Sequence, residues 1–346
     1  MIWKKKQFWG TIIAVALLAF CVKDISLSEL KSLFYRVNIL YIFLALISSS
    51  VFIAFKAIRW KLIVAPQKSI PICRSLTLYS AGQVLNILMP ALTGQLARIF
   101  LFAQKEGLRK TFVFSTIVLE VLFDSITLVI FLMLTSLAFV FPEEYRSVSW
   151  IVAAITLMFM AGLYVLLHYH KSLEEYSHSH LRSHWPSLYV GVKKFIRSFC
   201  KGIELLRSSQ HLAGSLSLSL LLWTAHMLVV FFLFKAFDLD LPLAAAAAVM
   251  IVNTLALMVP ITPGNAGTFE VAVSTSLAAF SVNRSDAVMF ALALHILDII
   301  PMWFFGAAFL RSERVSISDI KEKHEDEELF DHVSEEGILI DDKERV

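Results

Sequence analysis

Runs of about twenty apolar residues recur along the whole of this 346-residue chain, and they constrain its fold more tightly than any motif does. They fall at about 8–22, 38–58, 75–103, 112–141, 149–168, 212–237, 243–282 and 287–310. A hydrocarbon core about 30 Å thick takes roughly 20 apolar residues per helical crossing, and helices satisfy every backbone polar group there. Composition agrees, with 58% of residues hydrophobic and 17% charged, against about 25% charged in a soluble domain. The expected fold is an all-α polytopic membrane protein. Little sequence remains for a large globular enzyme domain, so nucleic-acid binding and cytosolic catalysis are poor readings. Transport, lipid handling and intramembrane catalysis stay open.

Two of the runs are interrupted. Pro90 and Gly94 break the run at 75–103, and Pro260, Pro263, Gly264 and Gly267 break the one at 243–282. Proline removes a backbone donor and clashes with the preceding turn, so each run is read as two short helices meeting at depth. That leaves about six full transmembrane helices and two broken or re-entrant pairs. If each broken segment enters and leaves on one face, 25 of the 31 Lys and Arg residues fall on the connections 1–7, 56–74, 98–110, 169–211 and 311–346. Short cytoplasmic loops collect such charge, which places those connections and both termini on the cytoplasmic side of a plasma (inner) membrane. Lys4 to Lys6 and the apolar run to Val22 look like a signal peptide. Phe20, however, stands where a cleavage site wants a small residue, so an uncleaved first helix is expected.

On this threading the units at about 38–141 and 212–310 repeat one order of elements upside down within a membrane domain spanning 1–312. Pro90, Gly94 and Gln95 match Pro260, Gly264 and Asn265 in position. Inverted repeats with discontinuous helices place a site between the breaks, near the midplane. Ionisable residues inside spans are costly and point to function. Glu120 and Asp124 share one helix face, and His295 and Asp298 stand in the corresponding helix of the second unit. Arg98 and Glu270 follow the breaks, accompanied by the amides Gln83, Asn86, Gln95, Asn253 and Asn265. Together these groups are expected to form one polar cavity. The short helices expected to begin after Gly94 and Gly267 aim unpaired backbone donors into it, which suits a phosphate or carboxylate. The four carboxylates then engage an amine or carry a proton.

Charge is divided along the chain. Residues 1–312 carry a net +11 and residues 313–346 a net −8. A basic body suits anionic lipid head groups, and the acidic tail is expected to be disordered. Cys21, Cys73 and Cys200 are too dispersed for a disulfide framework or a CxxC site. His168, His170, His178, His180 and His184 fit no defined zinc spacing, and neither a metal nor a cofactor is expected. Residues 185–206 have the rhythm of a basic interfacial helix. Phosphate-loop, HExxH, GxSxG and GxGxxG signatures are absent.

The stretch from Gly82 to Arg98 (GQVLNILMPALTGQLAR), the pair Glu120 and Asp124, and Pro260 to Glu270 (PITPGNAGTFE) resemble a known family. It is that of the membrane region of lysylphosphatidylglycerol synthases and related stand-alone flippase-like proteins, over residues 10–312. The resemblance implies re-entrant segments and a role in moving or presenting phospholipids, or polyprenyl-type lipids in some relatives. By position it implies Asn86, Pro90, Gly94, Arg98, Glu120, Asp124, Pro263, Gly264 and Glu270 as site residues. The intramembrane polar groups add Gln95, Asn265, His295 and Asp298. The family usually has Gly-Glu at Gly94-Gln95, Glu-Arg at Glu120-Val121 and Gly-Gly at Gly264-Asn265, so one carboxylate and one cation are missing here. The synthases' soluble aminoacyl-transferase domain does not follow Leu310, and lysine transfer by this chain alone is not expected. The expected function is flippase-like translocation of a phospholipid, or of an aminoacyl or polyprenyl lipid. The alternatives are a membrane-embedded transferase with Glu120 as base and His295 as acid, and an accessory subunit of a partner lipid synthase.

Overall fold

The computed structural model describes residues 6–23, 36–88, 92–138, 208–257 and 262–312, with scattered positions between 154 and 203. Pro90, the expected helix at 149–168, the histidine-rich loop, the expected interfacial helix at 185–206 and the acidic tail lie wholly or largely outside these residues. The described elements are all helical. In chain order they are α1 (Lys6–Val22), α2 (Ile39–Val64), α3 (Ile72–Leu88), α4 (Leu92–Glu106), α5 (Lys110–Ala138), α6 (Ser209–Ala236), α7 (Leu243–Ala256), a 3-10 turn (Pro263–Asn265), α8 (Thr268–Ala278) and α9 (Arg284–Ser312).

Four of them, α2, α5, α6 and α9, are long and apolar enough to cross a membrane. Exposed Phe43, Ile47, Met133, Leu137 and Phe304 stud their outer faces, an arrangement that lipid tolerates and water does not. Local chemistry sets their starts. Asn38 Oδ1 accepts the Leu40 N–H at 3.0 Å and opens α2. Asn283 Oδ1 accepts the Asp286 N–H at 2.9 Å, so α9 begins at Arg284, before the apolar run itself does.

Helices α2 and α6 lie antiparallel along their full lengths. The Asn38 N–H donates to the Ala236 carbonyl at 2.9 Å, the Phe52 ring meets Trp223 and His226 midway, and Gly214 abuts Leu62 at the far end. Helices α3 and α4 form an antiparallel hairpin. Gly94 sits on the Asn86 backbone near its tip, Gly82 faces Arg98 and Phe102 further down, and Arg74 Nε meets Glu106 Oε1 at 2.6 Å at its open end. The broken run thus doubles back on itself, as its sequence predicts. One detail differs. Helix α4 starts at Leu92, so Gly94 lies within its first turn and does not precede it. A Cβ there would stand 2.7 Å from Asn86 Cα, so glycine serves the close approach of two backbones more than a turn.

Around this frame α3 packs on α2 and α9, α4 on α5, and α5 on α2, α6 and α7. In turn α7 packs on α6 and α8, and α8 and α9 on each other, with α9 also touching α2 and α6. Helix α1 covers α8, α9 and the 3-10 turn. The largest apolar cluster, with Phe52, Trp223, Val230, Val249, Phe269 and Phe290, fills the space among α2, α6, α7, α8 and α9. A second, around Trp60, Tyr79 and Phe102, fills the α3–α4 side.

Candidate functional site

Helix α5 presents two carboxylates inward, and each meets a different cation. Arg98 on α4 donates from Nη2 to both Glu120 oxygens at 2.8 and 2.9 Å, and the Tyr79 hydroxyl donates to Oε2 at 3.1 Å. The Arg98 guanidinium also lies over the Tyr79 and Phe102 rings, so it is enclosed by protein and does not reach the surface. One turn along, Asp124 Oδ1 accepts from Arg59 Nη1 at 2.5 Å and from Trp223 Nε1 at 2.9 Å. Arg59 is 0% exposed and its Nη1 also donates to Ser219 Oγ at 2.7 Å. Its Nε and Nη2, and the nearby buried Ser215 hydroxyl, have no hydrogen-bond partner among the described residues. Lys56, one turn before Arg59, rests over the Phe52 and Trp223 rings.

Helix α9 is wired in the same way. Its His295 meets the second short helix of a broken run, with Nδ1 2.7 Å from Glu270 Oε1 on α8. Its Asp298 meets the unit's first long helix, with both oxygens 3.2 Å from His226 Nε2 on α6. Glu270 is used twice, because Oε2 accepts the Gly267 N–H at 2.7 Å and closes the first turn of α8. The His295 ring stacks on Phe269 at 4.2 Å, and its Nε2 lies 3.0 Å from the Gly264 carbonyl.

The second break is a left-handed turn. Gly264 and Asn265 have φ of 60° and 57°, Pro263 opens the turn, and the hydroxyls of Thr262 and Thr268 bind the Ala266 and Asn265 carbonyls at 2.8 Å. This turn packs on α3, where a Cβ on Gly264 would come within 3.2 Å of Ile87 Cγ2. The second break therefore touches the end of α3, Gly264 against Ile87. Gly267, at φ 86°, instead abuts Leu17 and Ala14 of α1, which makes it a packing glycine as well as a turn. Buried amide oxygens of Gln95, Asn253 and Asn265 have no partner among the described residues, and all three belong to the broken runs.

A profile of the transmembrane region of lysylphosphatidylglycerol synthases matches residues 7–306. The chain belongs to this family. It is a multi-pass integral membrane protein, as the family and its apolar helices require. It is also similar to a UPF0104 membrane protein of Pyrococcus horikoshii, 22% identical over 338 residues, covering 90% of this chain and 99% of that one. A UPF0104 membrane protein of Methanothermobacter thermautotrophicus is 23% identical over 284 residues, covering 75% and 81%. No solved structure matches the chain.

Of the residues singled out from sequence, the fold pairs Arg98 with Glu120, seats Gly94 on Asn86, and gathers Glu270 and His295 around Gly264 within the turn that Pro263 opens and Asn265 follows. Asp124 and Asp298 are brought to partners that sequence reading passed over, Arg59 and His226. Lys56 and Arg59 were expected in the connection after the second apolar run, yet α2 continues to Val64, burying Arg59 and half-burying Lys56. Their interior partners remove the electrostatic reason for the helix to end. The signal was present in the spacing: Phe52, Lys56 and Arg59 recur at intervals of four and three, one helix face. A separate cavity of about 270 Å³ lies among Phe20, Cys21, Val271, Ala278 and Arg284, and none of the sequence-predicted residues lines it.

Proposed function

We propose that this protein carries a phospholipid, or an aminoacyl or polyprenyl lipid of similar head-group chemistry, between the two leaflets. Two units related by inversion, α2–α5 and α6–α9, open a shared polar interior first to one side and then to the other. The packing supports the repeat. Exchanging α2 with α6, α3 with α7, α4 with α8 and α5 with α9 turns each of these helix contacts into another that is also present. The antiparallel α2–α6 pair is the contact that maps onto itself, as the centre of an inverted arrangement must.

One observation carries the reading. The turn of the second break rests on the end of α3, and among the described residues the buried amide oxygens of Gln95, Asn253 and Asn265 and the Arg59 donors Nε and Nη2 have no partner. Buried polar groups without partners are costly and rare, and inside a membrane protein they mark a path for a polar guest. Phosphate oxygens match the guanidinium donors, and head-group hydroxyls or amines match the amide oxygens. In proteoliposomes, the purified protein should bring labelled phosphatidylglycerol from the inner leaflet into reach of an external quencher. Arg59→Gln and Glu120→Ala should slow this about tenfold or more. Rates equal to those of protein-free liposomes would defeat the reading, and covalently altered lipid in the same vesicles would replace it with the transferase.

A further inference from the structure

The two units share their wiring but not their cations. In the first, both carboxylates of the last helix face arginines, Arg98 and Arg59; in the second, both contacts run through histidines, His295 and His226. Arginine never releases its proton in a protein, whereas histidine exchanges one between about pH 5 and 8. Resting on the lipid-carrying reading above, we propose that Glu270–His295 and His226–Asp298 are proton-binding sites that couple lipid movement to a proton gradient. The two arginine pairs act as fixed counterparts.

The geometry shows what a proton does at each. Both nitrogens of His295 face acceptors, the Glu270 carboxylate and the Gly264 carbonyl. Two protons, one on Nε2 and one between Nδ1 and Oε1, would turn both contacts into hydrogen bonds and leave the pair as a whole neutral. Loss of one to water leaves either a lone pair against the carboxylate or a lone pair against the carbonyl, and one contact must break. Either break loosens the turn at Gly264, which rests on Ile87 of the other unit, or the cap at Gly267. His226 is the reverse case. Its Nε2 faces Asp298, but its buried Nδ1 has no partner, so this arrangement suits a ring with one proton. A second proton would place an unsatisfied N–H beside Phe52, in the α2–α6 contact. The geometry in this conformation thus suits one loaded and one empty site, both within the second unit, and the proposed rearrangement of that unit changes both.

Other charged groups lie near each histidine. Around His295 they are Glu270 from α8 and, electrostatically linked to Glu270, Cys21 from α1. Around His226 they are Asp298 from α9, Lys56 over the shared Phe52 and Trp223 rings from α2, and Asp124, with its partner Arg59, on the far edge of Trp223. Helix α7 contributes no ionisable side chain.

The test uses the full chain in phosphatidylglycerol-containing vesicles, with a lumenal pH dye and labelled phosphatidylglycerol. For one proton carried per lipid, a gradient of one pH unit should shift the steady-state distribution of the label by up to about tenfold. Dye and label should respond together, and His295→Gln and His226→Gln should each abolish the shift. Movement of label that ignores the gradient in the unaltered protein would overturn proton coupling and leave lipid carriage standing. No movement at all would overturn the lipid reading, and this coupling with it. Nitrogen-15 spectra of the histidine rings in the detergent-extracted protein give a readout independent of transport, assigned by the two variants. Rings of His226 and His295 that each keep a single protonation state from pH 5 to 8 would overturn the proposal whatever the vesicles do.

Discussion

At Arg98 and Glu120 a paired replacement can separate stability from function in this protein. Both are almost fully buried, and each is the other's charge partner. Arg98→Met strands a carboxylate beside Tyr79 in a low-dielectric interior, a loss of about 3–5 kcal/mol for a broken buried pair. Replacing both, Arg98→Met with Glu120→Leu, removes the stranded charge and should recover most of the thermal stability of the detergent-extracted protein. If the pair serves the polar path, lipid movement stays slow in the double variant even though its melting temperature returns. A double variant as unstable as the single one would show that the pair is needed for folding itself. The sequence points to Glu120, Asp124 and Arg98 because charges in apolar runs are conspicuous. Arg59 is hidden by its position near the end of such a run, where a helical charge and a loop charge look alike.

At the scale of the element, glycines set how closely the broken segments approach their neighbours. A Cβ on Gly94 meets the Asn86 backbone at 2.7 Å, and one on Gly306 meets the Ser80 backbone at 2.9 Å where α9 crosses α3. Neither obstacle is a flexible side-chain end, so Gly94→Ala and Gly306→Ala should each destabilise by about 1–3 kcal/mol, the usual cost of overpacking. Gly162, with nothing within 4 Å, is the control. Gly162→Ala should leave the melting temperature within about a degree or raise it slightly, by helix propensity. Fluorescence-detected thermal unfolding of the three variants checks the order. Breaks at both runs are legible from proline and glycine alone, because those residues act locally. The start of α4 ahead of Gly94 is not, because it depends on which backbone lies opposite, a tertiary fact without a trace in the short motif. His226 is obscure for a similar reason. Its partner lies 72 residues away, on a helix that only the packing brings alongside.

At the scale of the whole molecule, the contacts sort the helix ends into two faces of unequal charge. The end of α2, the start of α3, the end of α4, the start of α6 and the end of α9 come together through Leu62 with Gly214, Arg74 with Glu106, and Arg74 over Phe309. Lys61, Lys68, Arg74, Lys105 and Arg311 gather there, against the single described acid Glu106, which binds both Lys68 and Arg74. The opposite face joins Asn38 to Ala236, Phe237 to Phe290 and Phe20 to Arg284, and its Lys23, Arg36, Lys235 and Arg284 exceed Asp238, Asp240 and Asp286 by only one charge. Arg59 and Arg98 drop out of the charge count made from sequence because they are buried, and Lys56 because it lies half-buried over Phe52 and Trp223, yet the excess on the first face survives without them. By the positive-inside rule we expect that face on the cytoplasmic side. In a background with Cys21, Cys73 and Cys200 replaced by serine, cysteines introduced singly at Lys68, Lys105 and Arg311 should resist a membrane-impermeant maleimide in intact cells and react after permeabilisation. Those introduced at Asp240 and Arg284 should react in both. Labelling that divided Lys68 from Lys105 would mean that α3 and α4 do not return to one face, and the proposed inverted pair of units, with the polar path proposed between them, would be lost.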